Sequence, residues 1–334
     1  MRPTLLVPLA FLGGCIEYEV VVKDGVDVFL QKPADQVDIL LVVDDSCSMA
    51  PYQAKLSQNF DSFLTYFIEG DVDYQIGVTT TDNSNDAAGH LTRWGSGSDR
   101  QWIITPETPN PQDRFAELVN VGTAGSGFEQ GLEAAYKAIT PPRTTNANIG
   151  FLRDEAVLSI VMVSDEQDGS KRPVNDYIND YYGVKGQRDR DVFNFSALTV
   201  TDESECSRDQ AVASSPGTRY VDVALQTHGI VRNLCSNAFD EIITDLSLNA
   251  SRLNDTYFLS GTPDLDTLEV LVGEETIACD AGVWTYELVD SDGDGKGEPA
   301  IVFSRSELPP VGSQITVKYY FGQGDVESFC GGGT

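Results

Sequence analysis

Val37-Asp38-Ile39-Leu40-Leu41-Val42-Val43-Asp44-Asp45-Ser46-Cys47-Ser48 is the stretch that decides the fold. Its first seven residues are apolar apart from Asp38 and rich in β-branched side chains. A run this continuous fits a central parallel strand buried on both faces. Five small, mostly polar residues follow, and then Leu56, Phe60, Phe63, Leu64 and Phe67 recur at helical spacing. The segment therefore reads as strand, loop, helix.

The same alternation continues outward. Residues 74–80 and 157–163 read as further buried strands, and 193–200 as another. Between them, 83–112 is rich in Gly, Ser, Asn and Pro and reads as a long loop, with a hairpin around Trp102-Ile103-Ile104. Helices are predicted over about 129–139 and near 221–227 and 239–246. Strands alternating with helices imply a doubly wound, mostly parallel sheet with ligands bound beyond the carboxyl ends of the strands. Asp44, Thr80 and Asp165 fall at those ends.

From about residue 249 the period changes. Short strands at 256–259, 268–272, 283–288, 300–303 and 314–320 lie between turns, which predicts a small all-β sandwich. The expected layout is a signal peptide over 1–14, a lead over 15–36 with an extended stretch at 18–22, an α/β domain over 37–248, a β-sandwich over 249–326 and a flexible tail from 327.

Asp44, Ser46 and Ser48 alternate along the loop, so their side chains can converge on one point. One carboxylate and two hydroxyls are hard oxygen donors, suited to Mg²⁺, Mn²⁺ or Ca²⁺. The competing reading is that Ser46 and Ser48 cap the following helix. The segment 38–49 resembles the first strand and metal-ion-dependent adhesion site of von Willebrand factor A (VWA) domains, and the likeness extends over about 37–247. The resemblance implies a Rossmann-like α/β fold and a MIDAS-type Mg²⁺ (or Mn²⁺/Ca²⁺) completed by an aspartate after a later strand, here Asp165 in Val163-Ser164-Asp165-Glu166. It also implies a threonine from a second loop. In Gly122-Thr123-Ala124-Gly125-Ser126-Gly127 that role falls to Ser126 or to Thr123. Asp45 and Asp168 lie close enough in sequence to assist through water or to face solvent. Ser164-Asp165-Glu166-Gln167-Asp168, Pro216-Gly217-Thr218-Arg219-Tyr220 and the β-rich end resemble a group of bacterial VWA lipoproteins. That group lends architecture, whereas the resemblance to VWA domains implies a protein ligand whose Asp or Glu carboxylate fills an open position on the metal.

The chain has 334 residues, 41% of them hydrophobic, enough for a substantial core. With 52 acidic and 22 basic residues the net charge is −30, which repels nucleic-acid phosphates and anionic headgroups. Arg2, the apolar run from Leu5 to Leu12 and Gly13-Gly14-Cys15 have the form of a secretory signal whose apolar part is too short to span a bilayer. The ending resembles a lipobox, which implies acylation (palmitate) of Cys15, and Ile16 after it points to the outer membrane, with the lipid as the only membrane contact. Export permits disulfides. Cys206–Cys235 and Cys279–Cys330 each join positions within one expected domain, leaving Cys47 as the free thiol.

A second ion site is expected at Asp290, Asp292, Asp294 and Glu298, positions one, three, five and nine of a calcium loop with Gly295 at six. Position twelve is Ile301 rather than Glu, so the segment resembles the Asp-x-Asp-x-Asp calcium turns of secreted bacterial proteins. The chain holds two histidines, His90 and His228, and neither Gly-x-Ser-x-Gly nor a phosphate loop. The expectation is a non-enzymatic envelope lipoprotein that binds a protein through a divalent metal. The alternative is a structural role in envelope assembly.

Overall fold

The computed structural model describes residues 24–31, 34–97, 100–186, 192–208, 210, 214–251, 254–279, 282–289, 296–304, 307–322 and 328–329. Two compact units divide the chain: 31–254 with 310–313, and 1–30 with 255–309 and 314–334.

The first unit is built on β2 (Gln36–Val43), β3 (Asp73–Thr80), β4 (Val157–Ser164), β5 (Phe193–Thr199) and β6 (Val231–Asn233). All four pairings are parallel, in the order β3-β2-β4-β5-β6. The quoted stretch is thus a central strand. Val37, Ile39, Leu41 and Val43 enter one core while Leu40 and Val42 enter the other, which is the period-two alternation of a strand covered on both faces. One face is covered by α1 (Ala50–Gln58), α2 (Phe60–Glu69), α3 (Pro111–Val119) and α7 (Phe239–Ser251). The other is covered by α4 (Gly131–Ala138), α5 (Val174–Val184) and α6 (Thr218–Gln226). This is the expected doubly wound architecture.

Several boundaries differ from expectation. The single helix expected after the metal loop is two, α1 and α2, divided at Asn59. Two helices escaped the periodicity. In α3, Asn110 in left-handed backbone precedes Pro111 at the first helical position, so a stretch that reads as loop starts a helix. In α5 the buried stripe is Tyr177, Ile178, Tyr181 and Tyr182, mostly tyrosine. The expected hairpin is a pair of isolated antiparallel bridges, Trp94 to Gln101 and Ile104 to Ile76 of β3.

At the entry to the sheet, Asp38 is fully buried. Arg153 meets it with its backbone N–H at 2.6 Å and its Nε at 2.7 Å, and the guanidinium also reaches Asp73 at 2.8 Å. Burial raises the Asp38 carboxyl, and Arg153 pulls it back down.

The second unit packs two four-stranded antiparallel sheets. One has the order β1-β12-β8-β9, with β1 (Asp24–Leu30), β12 (Gln314–Tyr320), β8 (Glu269–Val272) and β9 (Glu275–Ile277). The other has the order β13-β10-β11-β7, with β13 (Ser328–Phe329), β10 (Trp284–Val289), β11 (Glu298–Phe303) and β7 (Thr256–Phe258). Their inward residues, among them Trp284, Tyr286, Ile301, Ile315 and Val317, form one core, as in a β-sandwich. The division differs from the expected one at the lead. Asp24–Leu30 is not a free connector but strand β1, antiparallel to β12 from Asp24–Tyr320 to Leu30–Gln314.

Among the described residues no helix is long and apolar enough to cross a membrane. The extended stretch at 18–22, Cys15 and Cys330 lie outside the described residues, as does the tail from 330.

Candidate metal centre

β2 ends at Val43, and the Asp44 N–H then donates to the Val163 carbonyl at 2.9 Å, tying the departing loop to β4. The Asp44 carboxylate is fully buried. Its Oδ1 accepts from the Ser46 N–H at 2.8 Å and its Oδ2 from the Ser164 hydroxyl at 2.6 Å. A 3₁₀ turn, Cys47–Met49, follows. Neither Ser46 at its N-cap nor Met49 at the N-cap of α1 makes a side-chain capping bond. The serines instead turn toward the carboxylates. Ser46 Oγ and Ser48 Oγ are 3.1 Å apart, and Ser48 Oγ donates to Asp165 Oδ1 at 3.1 Å. Asp44, Ser46, Ser48 and Asp165, from the ends of two adjacent strands, thus form one cluster, and the capping reading of the serines does not hold.

The electrostatics of the cluster are one-sided. Burial first, then the charge of Asp44, raises the Asp165 carboxyl to about 7. Burial, then Asp82 and Asp44, raises Asp45 to about 6. Asp44 and Glu166 are also raised, mainly by burial. Buried carboxylates without compensation are costly unless a cation accompanies them. Asp165 Oδ2 is buried with no hydrogen-bond partner. Two carboxylates, one of them with an orphaned oxygen, and two hydroxyls suit a hard divalent cation. No group of three or more His, Cys, Asp or Glu placed to hold a metal occurs among the described residues, so a cation here relies on the serine hydroxyls.

The second loop is not brought into the cluster. Thr123 is exposed. The Ser126 hydroxyl accepts from the Phe128 N–H at 3.0 Å, a local turn that occupies it. The loop approaches through its backbone instead. The Gly125 N–H donates to the Asp45 carbonyl at 2.9 Å, and a Cβ at Gly125 would lie 2.2 Å from the Asp45 carboxylate. A side chain at position 125 would push the Asp45 carboxylate aside.

Asp168 neither faces solvent nor assists from the rim. It is buried, accepts from Arg219 Nε at 2.9 Å, and receives the Leu132 N–H at 3.2 Å in the first turn of α4.

Two residues at the site carried no sequence signal. Glu129 reads as an acidic residue leading into a helix, yet it is buried, with Oε2 accepting from the Thr81 hydroxyl and Oε1 unpartnered. Burial and the charge of Asp44 raise it to about 8. Gln53 of α1 is also buried, and its Nε2 donates to the carbonyls of both Asp44 and Gly122 at 2.9 Å.

Cys206 and Cys235 form a disulfide, as expected. Cys279 is disulfide-bonded, and Cys47 is a free, exposed thiol. Of the expected calcium loop, Asp290, Asp292 and Asp294 lie outside the described residues. Glu298 opens β11 opposite Val289.

No protein-family model matches the chain, and no curated protein matches its sequence. Among solved structures it is similar to proximal thread matrix protein 1 from the mussel byssus with a zinc-occupied MIDAS motif: 13% identity, 75% of this chain and 52% of that one covered, TM-score 0.39. It is also similar to the pilus adhesin SpaC from Lactobacillus rhamnosus GG: 9% identity, 91% and 42% covered, TM-score 0.44. The chain spans about half the length of the first and under half of the second. Likenesses this distant bear on neither ligand nor activity.

Proposed function

We infer that the α/β unit is a VWA-type module that binds a protein ligand through a divalent cation. The observation that carries this reading is the convergence of Asp44, Ser46, Ser48 and Asp165, with Asp165 Oδ2 buried and unpartnered. Asp44 and Asp165 supply anionic oxygen, Ser46 and Ser48 neutral oxygen, and Ser164 orients Asp44 through its 2.6 Å bond. When bound, Mg²⁺ (or Mn²⁺ or Ca²⁺) adds a Lewis-acidic centre that attracts a carboxylate. The two formal negative charges of these side chains balance a dication without filling its coordination shell, so an Asp or Glu carboxylate of a partner can enter as a direct oxygen ligand. The chain is then a non-enzymatic envelope lipoprotein anchored through Cys15, with the lipid as its sole membrane contact.

Calorimetric titration of the full chain with Mg²⁺, Mn²⁺ and Ca²⁺ should give one site that Asp44→Ala removes. Capture of partners from envelope extract should be abolished by EDTA and by Asp44→Ala alike. Capture that survives both sinks the adhesive reading and favours a scaffold in envelope assembly.

A further inference from the structure

A cavity of about 560 Å³ opens at the other end of the α/β unit, between α2, the start of β3 and the start of α3. Its floor is apolar: Leu64, Phe67, Val72 and Tyr74 are each at most 4% exposed. Its rim carries Asp61, Asp71, Asp73 and Glu107, and among the described residues no lysine or arginine lines it. Arg153 engages Asp73 from the side of the sheet, at 2.8 Å, and leaves the remaining rim acidic.

An acidic rim alone would be an ordinary solvated surface. Tyr74 changes that. Its ring packs edge-on against Phe67 at 5.9 Å and is buried at 4% exposure, while its hydroxyl is open to the cavity that the side chain lines. A tyrosine buries an apolar ring and presents a polar tip, so this hydroxyl gives the apolar floor a single hydrogen-bonding point within reach of a ligand. The volume falls within the range of ligand pockets and exceeds what one side chain fills.

We propose that this cavity binds a short basic segment of a partner polypeptide, its apolar side chains on the Leu64–Phe67–Val72 floor, its lysine or arginine heads at Asp71 and Glu107, and a backbone carbonyl on the Tyr74 hydroxyl. Long basic side chains suit such a site, because their stems cover apolar surface while their heads stay at the rim. The site is separate from the metal centre in residues and in the sign of its partner's charge. It stands or falls independently of the cation reading.

The test uses the full chain and a capped tetrapeptide alternating leucine with arginine, followed by calorimetry and by amide shifts in NMR spectra, with EDTA present. Binding is expected, with shifts centred on residues 61–74 and 106–112. The pair Asp71→Asn/Glu107→Gln should weaken it about tenfold, and Tyr74→Phe, which keeps the ring, roughly threefold to tenfold. The control Asp222→Asn/Glu241→Gln removes the same charge from exposed positions elsewhere and should leave binding unchanged. Equal weakening by the control, equal binding of a leucine–glutamate peptide, or spermidine binding as tightly as the tetrapeptide each overturns the proposal. So does the absence of binding.

Discussion

The two ends of β2 treat a buried aspartate in opposite ways. Asp38 and Asp44 are both fully buried, and burial raises the carboxyl of each. At Asp38 the chain supplies its own cation: Arg153 binds it at 2.6 and 2.7 Å, and the charge of Lys185 helps. At Asp44 the partners are a hydroxyl and an amide, and the charges that bear on neighbouring Asp165 and Glu129 are those of other carboxylates. The structural end is neutralised from within. Among the described residues the other end has no basic side chain to match it, and its carboxyls are left to protons or to a cation from solution.

That contrast can be broken experimentally, most forcefully at its structural end. Arg153→Ala leaves Asp38 buried and unpaired, and should cost about 3–5 kcal/mol, read by urea unfolding and equal with or without divalent cation. A loss below about 1 kcal/mol, the scale of an exposed pair, would show that Asp38 does not depend on its arginine. The next effect belongs to the other end. A cation at a hundred times its dissociation constant should stabilise the wild type by about 2.7 kcal/mol and Asp44→Asn not at all. In EDTA the variant should be at least as stable as the wild type, because it removes a buried uncompensated charge.

Proton linkage gives a third, smaller test. Asp165 at about 7 and Glu129 at about 8 lie above the ordinary carboxylate range. The folded, metal-free protein therefore holds protons that the unfolded chain releases. The stability these two groups contribute is fully present below about pH 4 and is lost as pH rises through 7 and 8. In EDTA the melting temperature should drop by at least about 2 °C between pH 5 and pH 8.5, and saturating Mg²⁺ should flatten the curve. A flat profile in EDTA means that the carboxylates find compensation inside the fold. The smallest effect is expected at the second loop. Ser126→Ala and Thr123→Ala should each change stability by less than about 0.5 kcal/mol and leave cation affinity unchanged in calorimetry, since neither hydroxyl reaches the cluster.

What the sequence shows follows from how local each signal is. β2 is legible because a strand buried on both faces must be apolar throughout, and Asp44, Ser46, Ser48 and Asp165 are legible because they directly follow two such strands. Asp38 and Arg153 are 115 positions apart, and nothing in either neighbourhood announces the pair. Glu129 is misread because an acidic residue leading into a helix has a sufficient local explanation, whereas its burial depends on Thr81 and on the backbone of Gly169. Strand β1 is hidden for the same reason: its partner β12 lies almost a whole chain away. α5 is hidden differently, by an apolar face made of tyrosines that a simple polar–apolar reading scores as mixed.

Gln53 has a mechanical consequence. One amide nitrogen grips the carbonyl at the root of the metal loop and the carbonyl of Gly122 in the neighbouring loop. The two loops share a pivot on the rigid first helix. Were the Asp44 peptide to tilt as its carboxylate took up a cation, as the proposed function requires of this site, Gln53 would carry that tilt to Gly122. The metal loop and its neighbour are thus geared together by one side chain, so that neither can shift alone without breaking one of its two bonds.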